Sequence, residues 1–110
     1  MGKDKKEITK IIERFDLLEE KFGITISGLY ATCDHEPDEY TIQINFDVTS
    51  LSGGKLGHSL RINASAYNSA GQLLQKNDVS LYGSEGFSSE SISLWTDQEP
   101  VRIRLFPTSR

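Results

Sequence analysis

The chain has 110 residues, of which 36% are hydrophobic, and its formal net charge at pH 7 is −4. This length fits a single domain, and an acidic chain without clustered Lys and Arg is not expected to bind nucleic acid or an anionic membrane. The single cysteine, Cys33, excludes an intramolecular disulfide and a thiolate-rich zinc site. No secretory signal or membrane-spanning apolar run is visible, so we expect a cytoplasmic location.

The first segment of the chain is predicted to be an amphipathic helix over residues 4–22, within an N-terminal unit of residues 1–23. Asp4 fits the N-cap, Glu7 takes the capping-box position three residues later, and Gly23 fits the glycine that ends a helix. The large apolar residues recur at the spacing of one helical face. They are Ile8, Ile11, Ile12, Phe15, Leu18 and Phe22.

The remainder, residues 24–110, is predicted to be a β domain. Apolar and polar residues alternate without a break over 40–48, and the same alternation returns over 60–66 and 101–105. Because successive strand side chains point to opposite faces, this pattern is typical of half-buried antiparallel strands. The residues that we expect in the core are Ile42, Ile44, Phe46, Ile62, Ala64, Ile103 and Leu105.

Turn residues divide this domain into six or seven short strands. The strands are predicted over 24–33, 39–49, 58–68, 72–82, 87–95 and 100–106, with an interruption possible at Asn77-Asp78. A polar loop is expected over 34–38, a turn over 68–71, a break over 83–86, and an end of the last strand at Pro107. Such spacing predicts an antiparallel β-sandwich of immunoglobulin-like or fibronectin-like type, and a small barrel is the alternative.

Three segments of the second half carry a resemblance to a known family. Residues 60–74, 79–82 and 101–107 resemble small bacterial immunoglobulin-like sandwich domains of the FxLYD family, in which a strand, an Asn/Asp-x-x-Gly turn and a late hydrophobic strand recur. The chain departs from the naming motif, because Val79-Ser80-Leu81-Tyr82-Gly83 has neither the Phe nor the Asp. The resemblance implies a non-enzymatic accessory module and supplies no catalytic residues.

No cofactor, metal or catalytic site is predicted. The acidic loop from Asp34 to Glu39 has the carboxylates that Ca²⁺ prefers, but it lacks the D-x-D-x-D spacing and the turn glycine of an EF-hand. His35 and His58 are expected in different loops, and Cys33 has no identifiable base nearby in the sequence. We therefore expect that the protein is not an enzyme.

Two aromatic residues break the alternation of their strands. Tyr67 and Trp95 lie opposite the apolar rows, which would expose them for binding of sugar or of a partner. The alternative is that a bulge shifts the strand by one residue, or that the helix covers this face. We favour this alternative, in which a bulge or the helix keeps the two aromatic side chains from solvent.

We expect a protein-interaction or structural accessory module, with the apolar face of the N-terminal helix as its candidate contact surface. That face could dock on its own domain, pair with a second copy, or belong to a longer coiled coil. The expected partner is therefore a protein or a second copy of this chain, and neither nucleic acid nor a membrane. A sandwich that binds carbohydrate or Ca²⁺ is the alternative function.

Overall fold

A computed structural model describes residues 4–56, 60–81 and 86–109. His58, Tyr82 and the predicted break at residues 83–85 lie outside the described residues. The strands are β1 (Asp4–Glu7), β2 (Ile12–Arg14), β3 (Ile24–Glu36), β4 (Glu39–Ser50), β5 (Leu60–Tyr67), β6 (Leu73–Ser80), β7 (Phe87–Thr96) and β8 (Arg102–Ser109). They form two stacked four-stranded sheets with strand orders β1-β3-β4-β7 and β2-β8-β5-β6, so the predicted mainly-β, two-sheet architecture is confirmed.

The predicted helix over residues 4–22 is wrong for most of its length. Strand β1 pairs antiparallel with β3, a 3-10 turn spans Thr9–Ile11, and β2 pairs parallel with β8. Only Asp16–Lys21 is α-helical, and we call this helix α1. The edges of β3 and β8 offer backbone partners to this segment, and β-branched isoleucines suit strands, so tertiary pairing overrides the helical spacing.

The N-terminal residues are therefore part of the sandwich. The chain leaves one sheet after Glu7 and joins the other at Ile12, and the N–H of Ile8 donates to the carbonyl of Ala31 at 2.8 Å on the way. Pairing crosses the predicted boundary between residues 23 and 24, because β1 and β2 bind strands of both sheets. The six strands from β3 to β8 agree with the predicted number for residues 24–110.

The predicted core is confirmed. The inward rows of the two sheets face one another, and all seven residues expected there are at most 2% exposed. The alternation over 40–48 places the even residues from Ile42 to Val48 inside, as the period of a strand requires.

Strand β3 changes its phase at a glycine. Ile24 and Ile26 point inward, whereas Ala31 and Cys33 are the buried residues farther along. The register against β4 shifts between Ser27 and Tyr30, and Gly28 within this bulge has a φ of 60°. A bulge adds an unpaired residue, which moves the inward row from even to odd positions.

Two predicted strand ends differ from the structure. The expected polar loop over 34–38 is a tight hairpin, since β3 continues to Glu36 and β4 begins at Glu39. Pro107 does not end the last strand, but lies within β8 opposite Ile62. Because β2 pairs with β8 only as far as Leu105, the missing N–H of Pro107 can face the uncovered edge.

Candidate functional site

The six residues of the predicted contact surface do not share one helical face. Ile8 is buried in the core, and three others pack against it in part, namely Ile11, Ile12 and Phe22. Phe15 and Leu18 are only half-buried, and they lie at α1. Four of the six therefore lie in the core or pack against it, and Phe15 and Leu18 remain partly accessible beside the helix.

Helix α1 is short and ends as the sequence predicts. Asp16 and Glu19 lie in its first turn and Lys21 in its last, which suits the helix dipole at both ends. Gly23 follows with a φ of 73°, and its N–H donates to the carbonyl of Glu20 at 2.9 Å. A glycine is favoured there because it adopts this left-handed conformation without strain.

An ion pair between the buried carboxylate of Glu19 and the partly exposed Arg14 fixes α1 to the sandwich. The carboxylate of Glu19 is 2% exposed and accepts two hydrogen bonds from Arg14, from Nε at 3.1 Å and from Nη2 at 2.7 Å. It also accepts the backbone N–H of Ile26 at 3.1 Å. The hydrogen bond to Glu19 raises the pKa of Arg14. Three donors on one carboxylate hold α1, β2 and β3 in one arrangement.

The accessible face of α1 is apolar. Leu17 is 82% exposed and lies in a shallow depression of about 580 Å³ with Phe15, Leu18 and Lys21. The ring of Phe15 meets that of Phe106 edge to face, with the centroids 5.9 Å apart, so it is held against β8. We call Phe15, Leu17 and Leu18 the α1 patch.

The sequence predicted Phe15 and Leu18 of the α1 patch as contact residues, but not Leu17, which is 82% exposed. Leu17 and Glu19 both fall outside the apolar face of the helix that the spacing predicts. The signal that could have found Leu17 is that it is a large apolar residue outside the 3.6-residue spacing of the predicted face. No signal pointed to the burial of Glu19, since a spacing of five residues from Arg14 is not a helical pairing distance.

The remaining candidate groups do not form a reactive centre in the part of the chain that is described. His35 stacks on Tyr40 with the ring centroids 4.3 Å apart. Among residues 4–56, 60–81 and 86–109, no three His, Cys, Asp or Glu side chains are placed to hold a metal. Cys33 is buried, and its loss of hydration raises the pKa of the thiol, which disfavours the nucleophilic thiolate.

The two aromatic residues that broke the alternation have different surroundings. Trp95 is 53% exposed on the outer face of the first sheet, where Tyr30 is 51% exposed, so a shift of phase does not hide Trp95. A row of polar groups lies between them, in which Gln43 hydrogen-bonds to Ser91 and Ser93. Tyr67 lies on the outer face of the other sheet, beneath the guanidinium of Arg104 at 5.2 Å.

Comparisons with protein-family models, with curated proteins and with solved structures gave no match. Neither of the helical segments described has the length and apolar character needed to cross a bilayer.

Proposed function

We propose that this chain is a non-enzymatic interaction module that binds a partner protein through the α1 patch. The observation that carries this proposal is the 82% exposure of Leu17 beside two half-buried apolar side chains. Leaving a leucine in water on a structured helix loses the free energy that its burial would provide, about 2 kcal/mol. A surface that binds another protein recovers this free energy.

The patch has the composition of a small interface. Its apolar centre is bordered by the charged side chains of Asp16, Glu20 and Lys21, which resembles the polar rim around the buried part of protein interfaces. It is also rigid, because the Glu19–Arg14 ion pair and the contact of Phe15 with Phe106 hold the helix. A surface that is already ordered loses less conformational entropy on binding.

The size of the patch favours a different protein over a second copy. A stable interface buries about 800 Å² on each partner, which three side chains do not provide. A symmetric dimer through the α1 patch would therefore be weak. An apolar segment of another protein that reaches over the patch and its rim fits this surface better.

The experiment that tests this proposal is site-specific crosslinking in the native host. A photoreactive amino acid at position 17 should give one discrete adduct, whereas the same amino acid at position 75, which is also exposed, should not. The crosslinked protein is then purified and its affinity is measured. Leu17→Ser should weaken binding by about tenfold or more, the loss expected for one buried leucine.

Leu17→Ser should leave the midpoint of thermal unfolding unchanged, because the side chain already lies in water. The proposal fails if position 17 gives no adduct beyond that at position 75. It also fails if the purified partner binds Leu17→Ser as tightly as the unchanged protein.

The outer face of the first sheet supports a second candidate, which is binding of carbohydrate. Trp95 and Tyr30 offer ring faces on which sugars can stack, and the amide of Gln43 lies between them with neighbouring serine hydroxyls. Titration of oligosaccharides while the Trp95 fluorescence is measured would test this, with Trp95→Ala as the negative control. Within the described residues, nothing favours Ca²⁺ as the ligand.

We also propose an immunoglobulin-like type for this fold and a cytoplasmic location for the protein. An immunoglobulin-like relationship is supported by two packed, mostly antiparallel sheets. Against it, β3 and β4 follow one another in the chain and pair directly. In an immunoglobulin domain, strand B pairs with strand E, the fifth in chain order, and not with the strand that follows it. The FxLYD resemblance remains a prediction. A reducing, cytoplasmic setting is supported by one unpaired, buried cysteine.

A further inference from the structure

A polar cleft lies at one end of the second sheet, away from the α1 patch. It has a volume of about 270 Å³ and is lined by residues of β8 and of the turn that follows β5, among them Tyr67, Ser69, Arg102 and Arg104. Arg102 and Arg104 both project from the outer face of β8, because Ile103 between them is buried. Two residues of a strand span about 7 Å, so both guanidinium groups reach the same small volume.

The hydrogen-bonding capacity of these two arginines is largely unused. The Nε atom of Arg104 is buried and makes no hydrogen bond in the described part of the chain, and the guanidinium forms an ion pair with Oε1 of Glu13 at 3.4 Å. The side chain of Arg102 makes no ion pair or hydrogen bond with any residue of the described ranges. A guanidinium carries five N–H donors, and a buried donor without an acceptor is costly.

Hydrogen bonds and a cation–π contact hold the residues around the cleft in place. Asn68 accepts the N–H groups of Ala70 and Gln72 at 3.0 and 2.9 Å, and its amide donates to Gln72 and Gln98. These bonds fix the turn that carries Ser69, whose hydroxyl has no partner among the described residues. The ring of Tyr67 lies under Arg104, which holds that guanidinium in place. The side chains around the cleft are thus positioned without a ligand.

The charge around the cleft is opposite to that of the whole chain. No carboxylate lines it among the described residues, and only Glu13 approaches from outside, whereas the chain as a whole carries −4. The neighbouring depression on the same face differs in its lining. Asp78 lies inside it, 3.7 Å from Nε of Arg61, whereas Glu13, the ion-pair partner of Arg104, does not line the cleft. Arg102 and Arg104 can therefore both present N–H donors to phosphate or carboxylate oxygens in the cleft.

We infer that this cleft binds a small oxyanion, a phosphate or carboxylate group, between Arg102 and Arg104. The Ser69 hydroxyl supplies a further donor at its edge. The anion is either free in solution or the charged end of a small molecule. The inference is independent of the α1 patch, because the residues that line the cleft and those that line the depression at α1 are different.

The test is a titration of the full chain with inorganic phosphate and, separately, with succinate, at constant ionic strength. Backbone amide shifts in two-dimensional NMR should saturate at residues 67–71 and 101–105. Arg102→Gln should weaken binding by about tenfold, which is the usual range for loss of one charge-assisted pair. Arg61→Gln is the matched control on the same face, and it should change the affinity by less than about twofold.

Each outcome decides the inference. Saturation by phosphate alone, by succinate alone or by both supports it and identifies the class of oxyanion. Shifts that do not saturate, or that spread over Arg61 and the rest of the face, would overturn it. An equal effect of Arg102→Gln and Arg61→Gln would overturn it as well. Thermal unfolding of both variants confirms that each is folded during the titration.

Discussion

Gly28 shows how one residue sets the inward row of a whole strand. Its φ of 60° lies in the left-handed region, and a Cβ built there would lie 2.8 Å from Oδ2 of Asp47. That carboxylate is held by Ser89, whose hydroxyl donates to Oδ1 at 2.7 Å. A side chain at position 28 would therefore strain the backbone and displace a neighbour that is already hydrogen-bonded.

Gly28→Ala is expected to lower the free energy of unfolding by about 1–2 kcal/mol, because alanine disfavours this φ by that amount. Urea unfolding followed by Trp95 fluorescence measures the change. Gly54→Ala is the control, since its φ lies outside the left-handed region and its nearest neighbour, Oγ of Ser52, is 3.4 Å away. Equal losses for the two variants would contradict the role given to the bulge.

At the scale of single residues, strand alternation predicts which residues form the core. It does not predict the residues that depart from this alternation. Ile44 and Phe46 could be assigned to the core because alternation leaves one face for apolar residues. The phase change at Gly28 could not be predicted, because a bulge depends on the partner strand. The burial of Glu19 and the open cleft at Arg102 depend on residues far along the chain, which alternation does not reveal.

Among the elements, α1 depends on its ion pair more than on its own helical tendency. Its six residues are too few for a stable isolated helix. The Glu19 carboxylate accepts the buried N–H of Ile26 and also binds Arg14. Removal of this carboxylate leaves a buried donor unsatisfied, which is more costly than loss of an exposed pair.

Glu19→Ala is expected to lower the free energy of unfolding by about 1–3 kcal/mol, the cost of an unsatisfied buried donor. Glu20→Ala is the matched control on the exposed side of the same helix and should change it by less than about 0.5 kcal/mol. Denaturant unfolding at pH 7 gives both values. A loss below 0.5 kcal/mol for Glu19→Ala would show that water replaces the carboxylate at Ile26.

The observed elements also show where the spacing of apolar residues does not distinguish a helix from short strands. Strands β4, β5 and β7 were predicted within two residues, because each alternates and is bounded by turn residues. Residues 4–14 belong to the predicted helix of residues 4–22 because Ile8, Ile11 and Ile12 fit its spacing. Short strands such as β2 carry too few residues to display alternation, and their pairing is decided by the edge that they cover.

On the scale of the whole molecule, the N-terminal segment covers one edge of each sheet, because β1 pairs with β3 and β2 pairs with β8. A chain that begins at Phe15 lacks β1 and β2 and exposes the edges of β3 and β8. We expect it to unfold at a lower urea concentration than the full chain, since paired backbone and the burial of Ile8 are lost.

A synthetic peptide of residues 4–14, added in excess, should restore part of the lost stability of this shortened chain, because it binds only the folded form. The same peptide with serine in place of Ile8 and Ile12 is the control and should have no effect. An unchanged unfolding midpoint for the shortened chain would mean that β1 and β2 add nothing to the sandwich.

The pairing of β2 with β8 also constrains the order in which the protein can fold. Ile12 finds its partner at Ile103, near the other end of the chain. During synthesis β2 therefore stays unpaired until β8 has left the ribosome, whereas β1 can pair with β3 much earlier. Contacts between such distant residues close slowly. A nascent chain of this protein would thus depend on chaperones for longer than a chain of equal length that folds through local hairpins.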